Sequence, residues 1–294
     1  MSTAAASPLV TYSRMIKLSH SIFAMPFALA AAALAAQQVD VTAAQLVLCV
    51  LCMVLARSSA MGFNRLVDRD IDAANPRTAS REIPSGQISV QAAWGFTLGS
   101  AALFVACCAL LGNTVLLLSP VALAVVWGYS LAKRYTALCH VVLGAALALA
   151  PTGVWIALTD SYGVVPAVLS VAVGTWVAGF DIIYSCQDAG FDSDHGLHSV
   201  PAALGLKGAL VVSALLHVAT AACLLALPAV VELGLAYYVG VAVISGVLVY
   251  EHWIVRPDDL SRVDKAFFDL NGYVSLAFFA FVAVALWAPA PLGA

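Results

Sequence analysis

Nine apolar runs long enough to cross a bilayer fall at about residues 18–36, 43–61, 91–111, 114–132, 137–158, 164–184, 208–227, 233–253 and 270–288. Backbone amides inside lipid have no water to bond, so each run is expected to be helical and the fold all-α. The connections between runs alternate in character. Those near Gln37–Asp40, Gly112–Asn113, Thr159–Gly163 and Pro228–Glu232 hold no Lys or Arg, whereas all 13 basic residues, from Arg14 to Lys265, lie toward the other side. The positive-inside rule makes that side cytoplasmic, with the N-terminus inside and, after nine crossings, the C-terminus outside. Arg14 and Lys17 flank the first run, so no cleavable leader is expected. With 63% hydrophobic residues, the 294-residue chain reads as one polytopic membrane domain, 1–294, set in a bilayer and with no nucleic-acid partner.

In a chain only 10% charged, the stretch Met61 to Ser85 carries three aspartates and four arginines. Asn64, Asp68 and Asp72 recur every four residues, which on a helix stacks them along one face. Two carboxylates and an amide make an all-oxygen surface suited to Mg²⁺, which usually binds one or two carboxylates plus substrate phosphates. A wet interhelical loop is the plainer alternative at this point. An EF-hand is excluded, because Ala73 and Ala79 stand where that loop needs Gly and Glu. Pro76, Pro84 and Gly86 fold the following loop into a cap carrying Arg77 and Arg81.

A second cluster lies roughly 110 residues on, where Asp181, Tyr184, Asp188 and Asp192 step by three or four along one helical face. Asp181 is the deepest; a charge at the membrane centre costs about 2.5–3.5 kcal/mol, so even nearer the rim it calls for a partner. Two acidic stripes, both on the basic side and both at helix ends, read as one site. A diphosphate bridged by Mg²⁺ between them would neutralise both, with Lys133, Arg134, Arg77 and Arg81 as counter-charges. Other features read as scaffold. Cys49 and Cys52 form a C-x-x-C inside an apolar run, His195 and His198 lack a third ligand for zinc, and Gly95-x-x-x-Gly99 suggests close helix packing.

The pattern Asn64-x-x-x-Asp68-x-x-x-Asp72 followed by Arg77-Thr-x-x-Arg81-x-x-Pro84-x-Gly86 resembles the first aspartate-rich motif of the UbiA-type intramembrane prenyltransferases. Asp181-x-x-Tyr184-x-x-x-Asp188-x-x-x-Asp192 resembles the second, and the likeness extends over essentially the whole chain, including the Lys133-Arg134 pair. The resemblance implies a nine-helix bundle with a cytoplasmic-side cap. Mg²⁺ on Asn64, Asp68, Asp72, Asp188 and Asp192 would grip the diphosphate of an allylic polyprenyl donor. Lys133, Arg77, Arg81 and Tyr184 would contact that diphosphate. The residues matching Asp181 and Arg134 would position or activate an aromatic acid acceptor. The wording is similar to bacterial 4-hydroxybenzoate polyprenyltransferases of quinone biosynthesis, and Asn64-Arg65, where Asn-Asp is usual, leans toward the menaquinone branch that uses a dihydroxynaphthoate. The implied location is the bacterial plasma membrane. Haem O and chlorophyll synthases share the motifs and rank lower. An ion-coupled transporter is a remote alternative, since transporters place charges at the midplane on broken helices, and here the charges gather at one face of helices that look unbroken.

Overall fold

The computed structural model of the chain describes residues 7–17 and 23–287. In chain order the α-helices are α1 (Pro8–Met15), α2 (Met25–Ala35), α3 (Ala43–Val67), α4 (Arg69–Ala74), α5 (Val90–Leu111), α6 (Asn113–Ala132), α7 (Cys139–Thr159), α8 (Val164–Ser185), α9 (Ala189–Asp194), α10 (Val200–Ala226), α11 (Leu235–Ile254), α12 (Val263–Lys265) and α13 (Asn271–Trp287). Eight helical segments among the described residues are long and apolar enough to cross a membrane. They correspond to the second through ninth expected runs. The first run is helical over Met25–Ala35, 11 residues, and the part of it at residues 18–22 lies outside the described residues.

Local signals set several boundaries. Thr42 and Gln45 cap α3 reciprocally, the hydroxyl accepting from the Gln45 N–H while the Gln45 side chain accepts from the Thr42 N–H. Ser89 caps α5 and Ser199 caps α10 by accepting from the N–H three residues on. Two helices are less regular than the apolar runs suggest. Gly205 adopts φ 68°, ψ 170° inside α10, a conformation open to glycine, and breaks the helix there. A π-turn over Ala266–Leu270 joins α12 to α13. Both irregularities fall at or just before the first residue of the expected runs 208–227 and 270–288, and the runs themselves stay unbroken over their described interiors.

The central helix is α8, packed between α7 and α10, with α2 lying against α7 and α13, and α3 against α5 and α6. The buried core joins Phe27, Trp176, Tyr237 and Phe278. Phe27 stacks on Phe278 with centroids 4.5 Å apart, and Trp176 lies 5.1 Å from Phe27. Lipid offers apolar side chains as good a home as the protein does, so helices here associate through close fit and internal hydrogen bonds. A Cβ on Gly144 would stand 2.2 Å from the Gly174 carbonyl oxygen, which shows how tightly α7 meets α8. A Cβ added to Gly95 or Gly99, the pair expected to mediate such a contact, would meet nothing within 4 Å. They point outward, and α5 instead packs through Ala93, Thr97, Ser100 and Ala101 one face over. Polar ties supplement the fit: Trp176 Nε1 donates to Asn271 Oδ1 at 2.7 Å, and Asn271 Nδ2 donates to buried Glu251 at 3.1 Å. Cys52 of the C-x-x-C lies 3.9 Å from Cys108 across the α3–α5 contact, both as free thiols.

Candidate active site

Both acidic stretches sit where a long helix stops. α3 ends at Val67, and Asp68 (φ −93°, ψ 4°) separates it from α4. α8 ends at Ser185, passes through a 3₁₀ turn over Cys186–Asp188, and restarts as α9 after Asp188 (φ −101°, ψ 3°). The expected continuous helical faces are therefore interrupted at the middle aspartate of each stripe. The i, i+4 relation survives between Asn64 and Asp68, whose side chains bond at 2.9 Å. Asp72 belongs to the short helix beyond the break and Asp192 to its counterpart α9, and both line one cavity.

That cavity, of about 230 Å³, is lined by Asn64, Asp68, Asp72, Arg77, Arg81, Lys133, Arg134, Asp181, Tyr184, Asp188 and Asp192, with Asn75, Tyr129 and His140. All eleven residues singled out in the sequence meet here. Burial makes their pairing obligatory, since an unpaired charge away from water is costly. Arg77 grips Asp188 with two nitrogens, Nε donating to Oδ1 at 2.9 Å and Nη2 to Oδ2, while its Nη1 donates to the Tyr184 hydroxyl at 3.1 Å. Asn75 Nδ2 adds a bond to Asp188 Oδ1 at 3.2 Å, and Asn75 Oδ1 accepts from the Arg77 N–H. Arg81 reaches Asp72 at 2.6 Å, Lys133 reaches Asp192 at 2.7 Å, and Arg134 reaches Asp68 at 3.2 Å while also donating to the Val67 carbonyl. Asp181 bonds His140 at 2.6 Å. Burial pushes the Asp68 carboxyl above the usual carboxylate range, and the Arg134 hydrogen bond offsets only part of this.

Among the described residues no three acidic, histidine or cysteine side chains converge closely enough to enclose a metal ion by themselves. The site nonetheless offers free donor capacity of the right kind. Asp72 Oδ2 and Asp192 Oδ2 are buried without a hydrogen-bond partner. Lys133 approaches Asp192 Oδ1 closely, yet neither Asp192 oxygen makes a hydrogen bond. Hard, unsatisfied carboxylate oxygens in one cavity fit a cation such as Mg²⁺ whose remaining ligands come from a phosphate.

A second cavity, about 330 Å³ and almost wholly apolar, runs among α2, α3, α5, α6, α7 and α8. It shares Tyr129, Leu143 and Asp181 in its walls with the polar cavity. Among the described residues its one basic side chain is Arg57, whose Nη2 donates to the Lys17 carbonyl at 3.4 Å and whose buried Nε has no hydrogen-bond partner. Arg134, expected beside the acceptor, lines the polar cavity and is spent on Asp68 and Val67. Arg57, Asn75, Tyr129 and His140 were not anticipated as site residues. Asn75 stands next to Pro76 in an already suspicious loop, whereas a lone His at the start of an apolar helix and a lone Arg inside one carry no spacing signal.

Residues 24–282 match the UbiA prenyltransferase family. A 4-hydroxybenzoate octaprenyltransferase of Pseudoalteromonas translucida (strain TAC 125) is 33% identical over 228 residues, 77% of this chain and 77% of that protein. Another, of Pseudomonas fluorescens (strain Pf0-1), is 32% identical over 242 residues, 80% of this chain and 79% of that protein. Among solved structures, an apo UbiA homologue from Aeropyrum pernix K1 superimposes with a TM-score of 0.82 at 36% identity, covering 90% of this chain and 97% of that one. A UbiA homologue from Archaeoglobus fulgidus bound to GPP and Mg²⁺ shares the fold at a TM-score of 0.75 and 20% identity, over 94% of this chain and 99% of that one.

Proposed function

The chain belongs to the UbiA prenyltransferase family, and from that premise we propose that it transfers a polyprenyl group from an allylic diphosphate to the ring of a hydroxylated aromatic carboxylic acid, of the 4-hydroxybenzoate or 1,4-dihydroxy-6-naphthoate type, in quinone biosynthesis. The observation that carries this reading is the pair of cavities with a common wall at Asp181: one dense with cations and carboxylates, the other apolar with a single guanidinium. A molecule with an anionic head and a long hydrocarbon tail matches both at once, and the polar cavity faces the cytoplasm under the charge-based topology.

In the polar cavity Arg77, Arg81, Lys133 and Arg134 are placed to neutralise a leaving diphosphate as the allylic C–O bond breaks, with the Tyr184 hydroxyl held among them by Arg77. Asp72 and Asp192, with Asp68, Asp188 and Asn64 beside them, would hold Mg²⁺, which when bound supplies further charge neutralisation of the departing group. The shift of charge from carbon to diphosphate takes place where the two cavities share the walls formed by Tyr129, Leu143 and Asp181. The acceptor ring enters next to Asp181. Arg57, the guanidinium of the apolar cavity whose Nε lacks a partner, meets the acceptor's carboxylate, and Arg134 stays with the diphosphate.

The test offers the purified protein an allylic polyprenyl diphosphate, Mg²⁺, and three acceptors: 4-hydroxybenzoate, 1,4-dihydroxy-6-naphthoate and phenol. One of the acids should be alkylated at least about 100-fold more efficiently than phenol, a carboxylate–guanidinium pair being lost with the latter. Arg57→Ala should raise the KM for the acid and leave that for the donor in place. Equal use of phenol, or no alkylation of any ring, would overturn the reading.

A further inference from the structure

Four of the five carboxylates on the polar cavity face a permanent cation: Asp68 has Arg134, Asp72 has Arg81, Asp188 has Arg77 and Asp192 has Lys133. Asp181 does not. Its partner is the imidazole of His140, whose Nδ1 lies 2.6 Å from Asp181 Oδ2, and the His140 side chain is almost fully buried. The other ring nitrogen, Nε2, accepts a 3.3 Å hydrogen bond from the Val200 N–H. That N–H opens α10, immediately after the Ser199 cap, and is among the first four amides of a helix, which have no intrahelical acceptor. A nitrogen that accepts cannot hold the proton. The imidazole is thereby fixed as the neutral tautomer with its proton on Nδ1, aimed at Asp181.

The contrast with the other four carboxylates has chemical content. A fixed guanidinium or ammonium beside a carboxylate stabilises its charged form strongly and makes it a poor base. A neutral N–H donor orients the carboxylate and occupies one oxygen without removing its basicity. Asp181 is also the one carboxylate in the walls of both cavities, so it alone can face a ring held in the apolar cavity. We propose that His140 is a positioning residue for Asp181, holding one carboxylate oxygen through Nδ1–H so that the other takes the proton released by the acceptor ring. This rests on the proposed alkylation of an aromatic ring. There, a ring carbon bonds to the allylic carbon as the allylic C–O bond breaks and the diphosphate departs with the electron pair. The alkylated carbon's C–H bond then breaks, its electrons restore aromaticity, and the proton passes to the free oxygen of Asp181 and on to water in the polar cavity.

His140 also ties α7 to α8 and α10, so a purely structural role must be separable. Asn and Gln separate it. In His140→Asn the side-chain amide can place its N–H where Nδ1 stands, serving Asp181 but not Val200. In His140→Gln the amide reaches the Nε2 position, where its oxygen can accept from Val200, and Asp181 loses its donor. The expected result is that His140→Asn keeps kcat within about 5-fold of the parent while His140→Gln loses about 100-fold in kcat with both KM values little changed, the range general-base positioning commands. With deuterium at the ring carbon that is alkylated, the Gln variant should show a primary isotope effect on kcat larger than that of the parent, because proton removal has become limiting. An active Gln variant alongside an impaired Asn variant, or equal losses carried by both KM values with no change in isotope effect, would overturn the assignment and leave His140 as a helix tie. If the parent alkylates no ring at all, the functional reading has failed instead.

Discussion

Asp68 and Asp188 occupy matching backbone breaks, φ −93°, ψ 4° and φ −101°, ψ 3°, each at the foot of a long membrane helix and each followed by a six-residue helix bearing a further aspartate. Their surroundings differ. The first stretch brings its own cations: Arg81 neutralises Asp72, and Arg77 extends from the same loop. The second stretch, 181–194, contains no Lys or Arg at all. Its Asp188 is held by Arg77 and Asn75 from the first stretch, and its Asp192 by Lys133 from the turn after α6. Similar local geometry has thus been given unequal roles. The first stretch and its loop act as a clamp, and the second is what the clamp closes on.

The strongest challenge to this picture is removal of either middle aspartate. Asp68→Ala and Asp188→Ala should each cost at least about 100-fold in kcat/KM, measured by steady-state prenyl transfer, since each strips a carboxylate from the site and strands a buried arginine. The two variants should differ in a second measurement. Asp188→Ala releases Arg77, Asn75 and, through Arg77, Tyr184, so it should lower the melting temperature more than Asp68→Ala does. Equal stability would mean that the clamp is not asymmetric.

A gentler comparison uses the arginines. Arg77 makes a two-pronged contact that a lysine cannot copy, whereas Arg81 reaches Asp72 through one nitrogen. Arg77→Lys should raise the KM for the polyprenyl diphosphate about 10-fold and Arg81→Lys by no more than about 3-fold, the difference being one charge-assisted hydrogen bond. Similar values for the two would remove the distinction between a bridging and a local pair.

The smallest effect expected concerns cation crowding on the clamp side. Burial, with Arg65, Arg81 and Arg77 nearby, lowers the Lys17 ammonium to about 8. A cation whose folded-state pKa is depressed costs stability while it stays charged. Between about pH 8 and the ordinary lysine value near 10.4 the unfolded chain binds the extra proton, so stability rises with pH across that window. Thermal melts from pH 7 to pH 10 should show this rise in the parent and a flatter profile in Lys17→Met. A parent profile that already falls from pH 8 would count against the crowding.

Much of this was legible in the amino-acid order, and the part that was not has a common cause. Six of the expected spans agree with helices to within about two residues at each end, and α3 and α10 overrun theirs, because an uninterrupted apolar run of about 20 residues has few other options in lipid. α3 runs six residues past its apolar stretch, to Val67, since Asn64 and Arg65 are accommodated by polar partners at the cavity. The aspartates announced themselves by spacing. Their breaks did not, because a helix can stop at Asp68 without any Pro or Gly to mark it. His140 and Arg57 were illegible for another reason. Each acts through a partner from a distant part of the chain, Asp181 and Val200 for the one, the apolar cavity for the other, and no periodicity records that meeting.

The ion pairs spanning the polar cavity carry a consequence for how ligands bind. Asp68 and Asp188 have both carboxylate oxygens engaged, so their pairs must be undone before either can face a divalent cation, and each of the four cations must leave its carboxylate before it can face a diphosphate oxygen. A divalent cation arriving alone would draw carboxylates away from Arg77, Arg81, Lys133 and Arg134 and leave those charges exposed to one another. A diphosphate arriving alone would do the converse to the aspartates. Together they permit an exchange of partners in which every charge is matched before and after. The two ligands are therefore expected to be positively cooperative, and reciprocity requires that the factor by which the donor tightens the cation equal the factor by which the cation tightens the donor.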